Sequence, residues 1–409
     1  MRIGFFTSIE GWGGSEIYLQ TLMMSLREEG HEPVLIGIKG SRLFKELLAR
    51  QIECHSWREG RNISGSSEAV VKDAAQSAAA TVIPKAVLDI KTNCRKLKDK
   101  VLGFTPGWLK LLLGNIGEVR HLRKTFSGLG LDVLQVTVHG YEMAGLAARL
   151  CGVPVVAVYQ ISPVEEHSFV RRLLIRWSAW TYDRVCFVSH YSAVEWRKIT
   201  GLAAGRCEVV PNGADLQLYA GCSREVARNA KGVFRLVSVG RLHPMKGYRY
   251  LIEAMADLKD TAVSLDILGE GAEEAELREL AHSLGVESIV NFRGYIDNPV
   301  DYLKQADCFV LASVSHEGSP FVLAEAMAAG LPLITSDFGP LPEINIQNET
   351  GLVVPTGDSR ALSKAIRRMQ SDPDLTQGMG RAALKRATQY DQRQMVTKMM
   401  EIYSKRYRQ

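Results

Sequence analysis

The sequence predicts an α/β protein of two doubly wound domains, each a parallel sheet with helices on both faces, set opposite one another across a cleft. Three observations predict it. A strand–loop–helix–strand order opens the chain, the same order restarts after residue 230, and 409 residues suit two cores better than one.

Residues 2–7 (RIGFFT) read as a buried strand. A loop with Gly11, Gly13 and Gly14 follows. Ser15 can cap a helix over Ile17 to Arg27, where apolar residues recur at helical spacing, and Gly30 stops it. Residues 33–38 (PVLIGI) supply the next strand and complete a βαβ unit. Further strands are expected at 132–138, 153–159 and 184–189. The second half repeats the order, with strands at 233–239, 263–268, 289–292, 307–312 and 332–336 and a helix near 248–258. An aperiodic stretch from Ala214 to Lys231 reads as the linker. The expected domains are 1–215 and 216–390, with a charged helix over 391–409 that packs back on the first domain. Ligands of such sheets bind at the carboxyl ends of the strands, here in the cleft.

Hydrophobic residues make up 46% of the chain and charged residues 23%, which excludes disorder and miniature disulfide scaffolds. The first 220 residues carry 27 Lys/Arg against 21 Asp/Glu, and the rest carry 23 against 24. So small an excess argues against nucleic acid and fits an anionic ligand or membrane surface on the N-terminal side. The seven cysteines show no metal-ligand spacing and read as buried thiols of a reducing compartment. No signal peptide or membrane-spanning run is expected, which places the protein in the cytoplasm or on the inner membrane face. Residues 85–124 hold ten Lys/Arg, three Asp/Glu and an apolar stripe of Leu109, Leu112, Leu113, Ile116, Val119 and Leu122. This basic amphipathic helix either packs on its own sheet or touches anionic lipid.

Four constellations carry chemistry. In the first, Glu317 sits in a loop and Glu325 on the helix after it. Pro320 suits that helix's first turn and Gly330 its end. The backbone of Gly318, Ser319, Phe321 and Val322 can then present amides to an anion, because the orphan donors and the helix dipole both favour negative charge. A carboxylate such as Glu325 can accept from two adjacent hydroxyls. In the second, Arg241 and Lys246 lie in one loop at a strand's exit, where they can neutralise a diphosphate. The third is Gly11–Glu16, which lacks a dinucleotide fingerprint but lets a ligand approach the backbone at Gly13 and Gly14. The fourth, Pro211-Asn212-Gly213-Ala214-Asp215, reads by chemistry as a turn. Alone, each also reads as an ordinary solvated loop.

Together the E-x7-E pair Glu317/Glu325, the G-R-L-x-x-x-K-G loop and the P-N-G-x-D turn resemble the retaining glycosyltransferases of family four, which have the GT-B fold of two Rossmann-like domains. The Gly294-Tyr295 turn and the Gly-rich first loop agree. The resemblance implies a retaining, metal-independent hexosyltransferase that moves a sugar from a UDP- or GDP-sugar to a hydroxyl acceptor. A lipid-linked acceptor in cell-envelope polysaccharide or glycolipid assembly fits it. Arg241 and Lys246 match the diphosphate pair, Glu325 the ribose carboxylate and Glu317 the donor-sugar carboxylate. The backbone of 318–322 would bind sugar and phosphate oxygens, residues near Arg293 to Ile296, Gly294 and Tyr295 among them, the base, and Gly13 and Gly14 the diphosphate from the other domain. No cofactor or metal is implied. Many relatives have a sugar-contacting His where this chain has Gln160. His139, Glu165, Glu166 and His167 are nearby substitutes. A nucleotide-sugar 2-epimerase and a donor-binding protein without turnover are the alternatives.

Overall fold

The computed structural model describes residues 1–8, 13–59, 107–138, 143–163, 169–219 and 232–405. Thirteen strands form two parallel sheets among the described residues. The first holds β1 (Arg2–Phe6), β2 (Glu32–Lys39), β3 (Glu53–Glu59), β4 (Val133–Val138), β5 (Val155–Tyr159), β6 (Arg184–Phe187) and β7 (Cys207–Val209), in the order β3-β2-β1-β4-β5-β6-β7. The second holds β8 (Phe234–Val239), β9 (Val263–Leu268), β10 (Val290–Phe292), β11 (Cys308–Leu311), β12 (Leu333–Ser336) and β13 (Gly351–Val354), in the order β10-β9-β8-β11-β12-β13. Each sheet reverses its winding beside its first strand, between β1 and β4 and between β8 and β11. Such switch points open a crevice at the strands' carboxyl ends.

The alternating side chains of the first sheet bury two faces. Ile3, Phe5, Leu35, Val133 and Val156 pack against Tyr18, Leu19 and Leu22 of the helix Gly14–Glu28. Met395, Val396, Met399, Ile402 and Tyr403 of the helix Gln392–Ser404 join this core, so the chain's last helix lies on the first sheet. The buried Gln135 amide oxygen accepts from the hydroxyls of Tyr18 and Tyr403, which fixes that helix's seat. On the other face, Phe6, Val34, Leu134 and Val136 pack against Leu122, Phe126, Ala144, Ala147, Ile175, Ala179 and Trp196. The second sheet is covered in the same way on both sides.

Strands β3, β7 and β13 escape the sequence reading. Polar ECHSWRE at a sheet edge, a three-residue CEV and a four-residue GLVV give too little apolar periodicity. The helix Gly107–Ser127 buries Leu122 and Phe126 but leaves Ile116 49% exposed. Residues 85–106 of the basic stretch, with Lys96, Lys98 and Lys100, lie outside the described residues. Among the described residues, no helix is long and apolar enough to cross a membrane. Cys54, Cys151, Cys186, Cys207 and Cys308 are free thiols. Of these five, Cys186 and Cys308 are buried, against the expectation for all, because the other three sit on edge strands or helix ends; Cys94 and Cys222 lie outside the described residues.

Two chain crossings join the domains side by side. Ala214 bridges to Asp391, the Ala214 amide donates to the Tyr390 carbonyl at 2.9 Å, and the Gln392 amide donates to the Ala214 carbonyl at 3.0 Å. The expected linker therefore begins as a paired segment and continues in a 3₁₀ turn over Leu216–Tyr219. Residues 220–231 lie outside the described residues. A Cβ at Gly213 would stand 2.5 Å from the Gln392 Cα, so a glycine is needed where the crossings touch. Gly213→Ala is expected to destabilise the protein by about 1–3 kcal/mol, because backbone rather than a flexible side chain must yield. An unchanged thermal midpoint would show the crossing to be looser than this.

Candidate active site

The loops that leave β1, β5, β8 and β11 meet in the cleft. The β8 exit is seated on a neighbouring turn: the Gly240 amide donates to the Leu268 carbonyl and the Leu242 amide to the Glu270 carbonyl, each at 2.9 Å. It then makes a single turn over Pro244–Lys246, with Nδ1 of His243 accepting from the Met245 amide at 3.3 Å. Gly247 follows at φ +65°, where a Cβ would lie 2.1 Å from the Ala312 carbonyl oxygen. The Val314 amide donates to the Met245 carbonyl at 2.8 Å, which locks the β8 and β11 exits together.

This lock brings Lys246 to Glu317. Lys246 Nζ lies 2.6 Å from Glu317 Oε1, and the Ser313 hydroxyl donates to the same oxygen at 2.6 Å. Glu317 is only 5% exposed, and Lys246 is half-buried. A carboxylate so placed needs a cation and hydrogen bonds to stay ionised. Its Oε2 meets no donor among the described residues.

The first domain grips the same loop. The Ser162 amide and hydroxyl donate to the Glu317 carbonyl at 3.3 and 2.8 Å, and the Asn212 side-chain amide donates to the Ser319 carbonyl at 3.0 Å. A Cβ at Gly318 would stand 2.0 Å from the Gln160 carbonyl oxygen, so the contact requires glycine. The Gln160 side chain is 4% exposed, yet neither its Oε1 nor its Nε2 has a hydrogen-bond partner. Asn212 Oδ1 and His316 Nδ1 are in the same position, and His316 sits at φ +55°. Unpaired buried polar atoms and left-handed non-glycine backbone each cost about 1–3 kcal/mol, and they gather where a ligand completes the network.

The Gly13–Gly14 turn faces this loop. A Cβ at Gly13 would be 3.2 Å from Arg241 Nη2 and 3.7 Å from Glu16 Oε2, and one at Gly14 would be 3.9 Å from the Phe321 ring. The two glycines, Arg241 and the start of the helix Phe321–Ala328 thus adjoin across the cleft. Pro320 is the cap of that helix rather than its first residue, and Ser319 and Phe321 are buried while Val322 is half-buried. Glu325 lies about 6 Å further along the helix than Phe321. Burial pushes its carboxyl up to about 7, and no donor among the described residues reaches it. Gly294, at φ +71°, turns the chain so that the Tyr295 amide donates to Glu270 Oε1 at 3.2 Å. The Tyr295 ring, 48% exposed, lies under the Arg42 guanidinium at 5.6 Å. His139, Glu165, Glu166 and His167 lie outside the described residues.

Two parts of the cleft were not read as such from the sequence: Glu16 stood in the Gly11–Glu16 segment without a role of its own, and Gly269–Gly271 was not singled out. Glu16 is 3% exposed, its Oε1 has no partner, and burial raises its carboxyl to about 7 against the pull of Arg241 and nearby amides. An acid in a first helical turn reads as ordinary dipole complementation. Gly269–Gly271 supports both the Arg241 loop and the Tyr295 turn; a G-E-G after a strand was the available cue. His243 is held below its usual value by burial and by Arg241, His316 and Lys246.

Residues 223–386 match the family model "Glycosyl transferases group 1", and residues 89–218 match "Glycosyltransferase Family 4". The glycogen synthase of Mycobacterium tuberculosis (strain ATCC 25618 / H37Rv) is 30% identical over 63% of this chain and 64% of its own length. The lipopolysaccharide core biosynthesis glycosyltransferase LpsE of Rhizobium meliloti is 38% identical over 34% of this chain and 40% of its own length. The matched chain thus spans less than two thirds of these relatives. The crystal structure of Anabaena Alr3699/HepE in complex with UDP superposes with a TM-score of 0.75 at 18% identity, covering 99% of this chain and 100% of that one. The architecture is the GT-B fold, and the chain belongs to the GT4-type glycosyltransferases.

The Glu325 carboxyl rises from 4.5 to about 7 on folding. A raised carboxyl favours the folded state below the unfolded value and loses that contribution as pH climbs through the folded one. Glu325→Gln is therefore expected to match the parent in thermal stability near pH 4.5 and to exceed it above pH 7. The gain is at most about 3 kcal/mol, reduced by the solvent that still reaches the group. Parallel stability profiles for the two proteins across this range would contradict the assignment.

Proposed function

We propose that this GT4-type chain transfers a sugar from a nucleoside diphosphate sugar, UDP- or GDP-linked, to a hydroxyl acceptor with retention at the anomeric carbon. The observation that carries the reading is Lys246 held on buried Glu317, in the same loop as an Arg241 that adjoins Gly13, with the unpaired Gln160 amide next to Gly318. The UDP complex of the HepE structure is in keeping with a uridine nucleotide.

In this reading Arg241 grips the diphosphate through paired N–H groups. Lys246 uses one proton on Glu317 and keeps two donors for the leaving oxygens. These cations would do the electrostatic work a metal does elsewhere, aided by the amides of 318–322 and of Gly13 and Gly14. Glu325 takes the ribose diol, and its raised value suits a carboxylate that ionises fully only when hydroxyls donate to it. Glu317 Oε2 accepts from a donor-sugar hydroxyl, and the Gln160 amide pairs with another. Gln160 orients the sugar and cannot move a proton. The Gly294-Tyr295 turn borders the base.

The acceptor hydroxyl attacks from the face the diphosphate leaves. The C–O bond to the diphosphate breaks, a new C–O bond forms on that face, and the acceptor proton passes to the departing phosphate oxygen. The acceptor binds the first domain, residues 1–215. Cell-envelope polysaccharide or glycolipid assembly at the cytoplasmic membrane face suits the basic N-terminal half and the lipopolysaccharide relative.

Incubation with labelled UDP- and GDP-sugars tests the reading. Slow release of UDP or GDP, insensitive to chelators, is expected. Binding without release across donors and acceptors, or a 2-epimer as product, would replace transfer with one of the alternatives. Lys246→Ala should lower kcat by about 10²–10³-fold, the cost of one preorganised donor at a developing charge. Glu325→Ala should act mainly on the donor KM. Parent kinetics in both variants would place the site elsewhere.

A further inference from the structure

We propose that the outer face of the first domain's helical layer docks on an anionic lipid bilayer, with the helix Phe169–Trp180 as its anchor. Leu173, Trp177 and Trp180 are 51%, 46% and 70% exposed and follow one another at four- and three-residue spacing, so they form a single stripe. The opposite stripe, Ile175, Ser178 and Ala179, is the buried one. Arg149 Nη1 donates to the Trp180 carbonyl at 3.4 Å, which ties the end of the helix Ala144–Leu150, where Leu150 is 53% exposed, to the end of the stripe. Single exposed apolar residues are ordinary, but a contiguous ridge with two tryptophans marks an interaction surface.

Charge selects the occupant. Exposed Arg120, Arg123, Lys124, Arg149, Arg171, Arg172 and Arg176 lie on the helices Gly107–Ser127, Ala144–Leu150 and Phe169–Trp180 of this layer, in which Glu118 is the one carboxylate. Tryptophan belongs at the lipid headgroup level, and each cation near an anionic surface contributes about 1 kcal/mol. A second copy of this chain would set the same cations against one another, which disfavours self-association. None of these residues is among those placed in the cleft above, so the proposal does not depend on the transfer reaction.

The full chain is to be sedimented with phosphatidylcholine vesicles, with and without phosphatidylglycerol. Pelleting that requires phosphatidylglycerol and fades as salt is raised is expected. Trp177→Ser/Trp180→Ser should weaken it by about tenfold or more. Arg172→Glu, a surface change with no packing cost, should weaken it too, and both variants should keep the parent's nucleotide-induced thermal shift. Equal pelleting on neutral vesicles, equal pelleting of both variants, or a ridge that proves to hold a dimer together by light scattering would each overturn the proposal.

Discussion

The buried carboxylate of Glu317 is the constraint on which the rest of the cleft depends. An ion at 5% exposure is expensive, and Lys246 and Ser313 compensate it on one oxygen. Because Lys246 is at the end of the β8 loop, the requirement fixes that loop relative to the β11 exit. Because the Glu317 carbonyl accepts from Ser162, it also fixes the second domain relative to the first. One side chain thereby couples an ion pair, two strand exits and the width of the cleft. Removing one partner of such a pair leaves an uncompensated charge and typically costs about 3–5 kcal/mol, far more than the pair contributes net. Its value is positional: Lys246 is held in the cleft in a fixed orientation.

Close approach of backbones is the means. Gly247 against the Ala312 carbonyl and Gly318 against the Gln160 carbonyl are places where a single methyl group would spread loops apart by more than an ångström. The two contacts act in different directions, one within the second domain and one between domains. A small residue at either would shift Lys246, Glu317 or both, and electrostatic stabilisation falls steeply with such displacement.

The fold was legible because buried parallel strands are apolar on both faces, and RIGFFT, PVLIGI and CFVL state this plainly. Edge strands β3 and β7 are half-solvated and write no such pattern. The cleft was legible where chemistry is concentrated in a short loop. Arg241 and Lys246 stand five residues apart, and Glu317 and Glu325 flank one helix start. What no spacing could reveal was the meeting of distant segments: Asn212 with Ser319, Ser162 with Glu317, and Ala214 with Asp391. The P-N-G-A-D segment read as a turn on its own chemistry, and its partners lie 107 and 177 residues away at Ser319 and Asp391. Glu16 was hidden for a different reason. It is 3% exposed beside the second domain's Arg241, a neighbour that no local pattern records.

The unpaired polar atoms decide how the domains must behave. Gln160, Asn212 and Glu16 belong to the first domain and His316 to the second, and each leaves a donor or acceptor unmet. A rigid protein would have little reason to retain four such deficits, since apolar replacements would be less costly. They become tolerable when the domains separate and water reaches them, or when a polar ligand fills the cleft. Phe321 packs into the first sheet's core, and beside it polar contacts join the domains: Ser162 to Glu317, Asn212 to Ser319, and the Glu343 carboxylate on the amides of His190 and Tyr191. Water can replace each of them at a net cost of about 1 kcal/mol, whereas the crossings at Ala214 and Asp391 are covalently continuous and stay paired. The crossings fix the two domains at one edge, and a polar ligand in the cleft would meet the donors and acceptors left unpaired at Gln160, Asn212, Glu16 and His316.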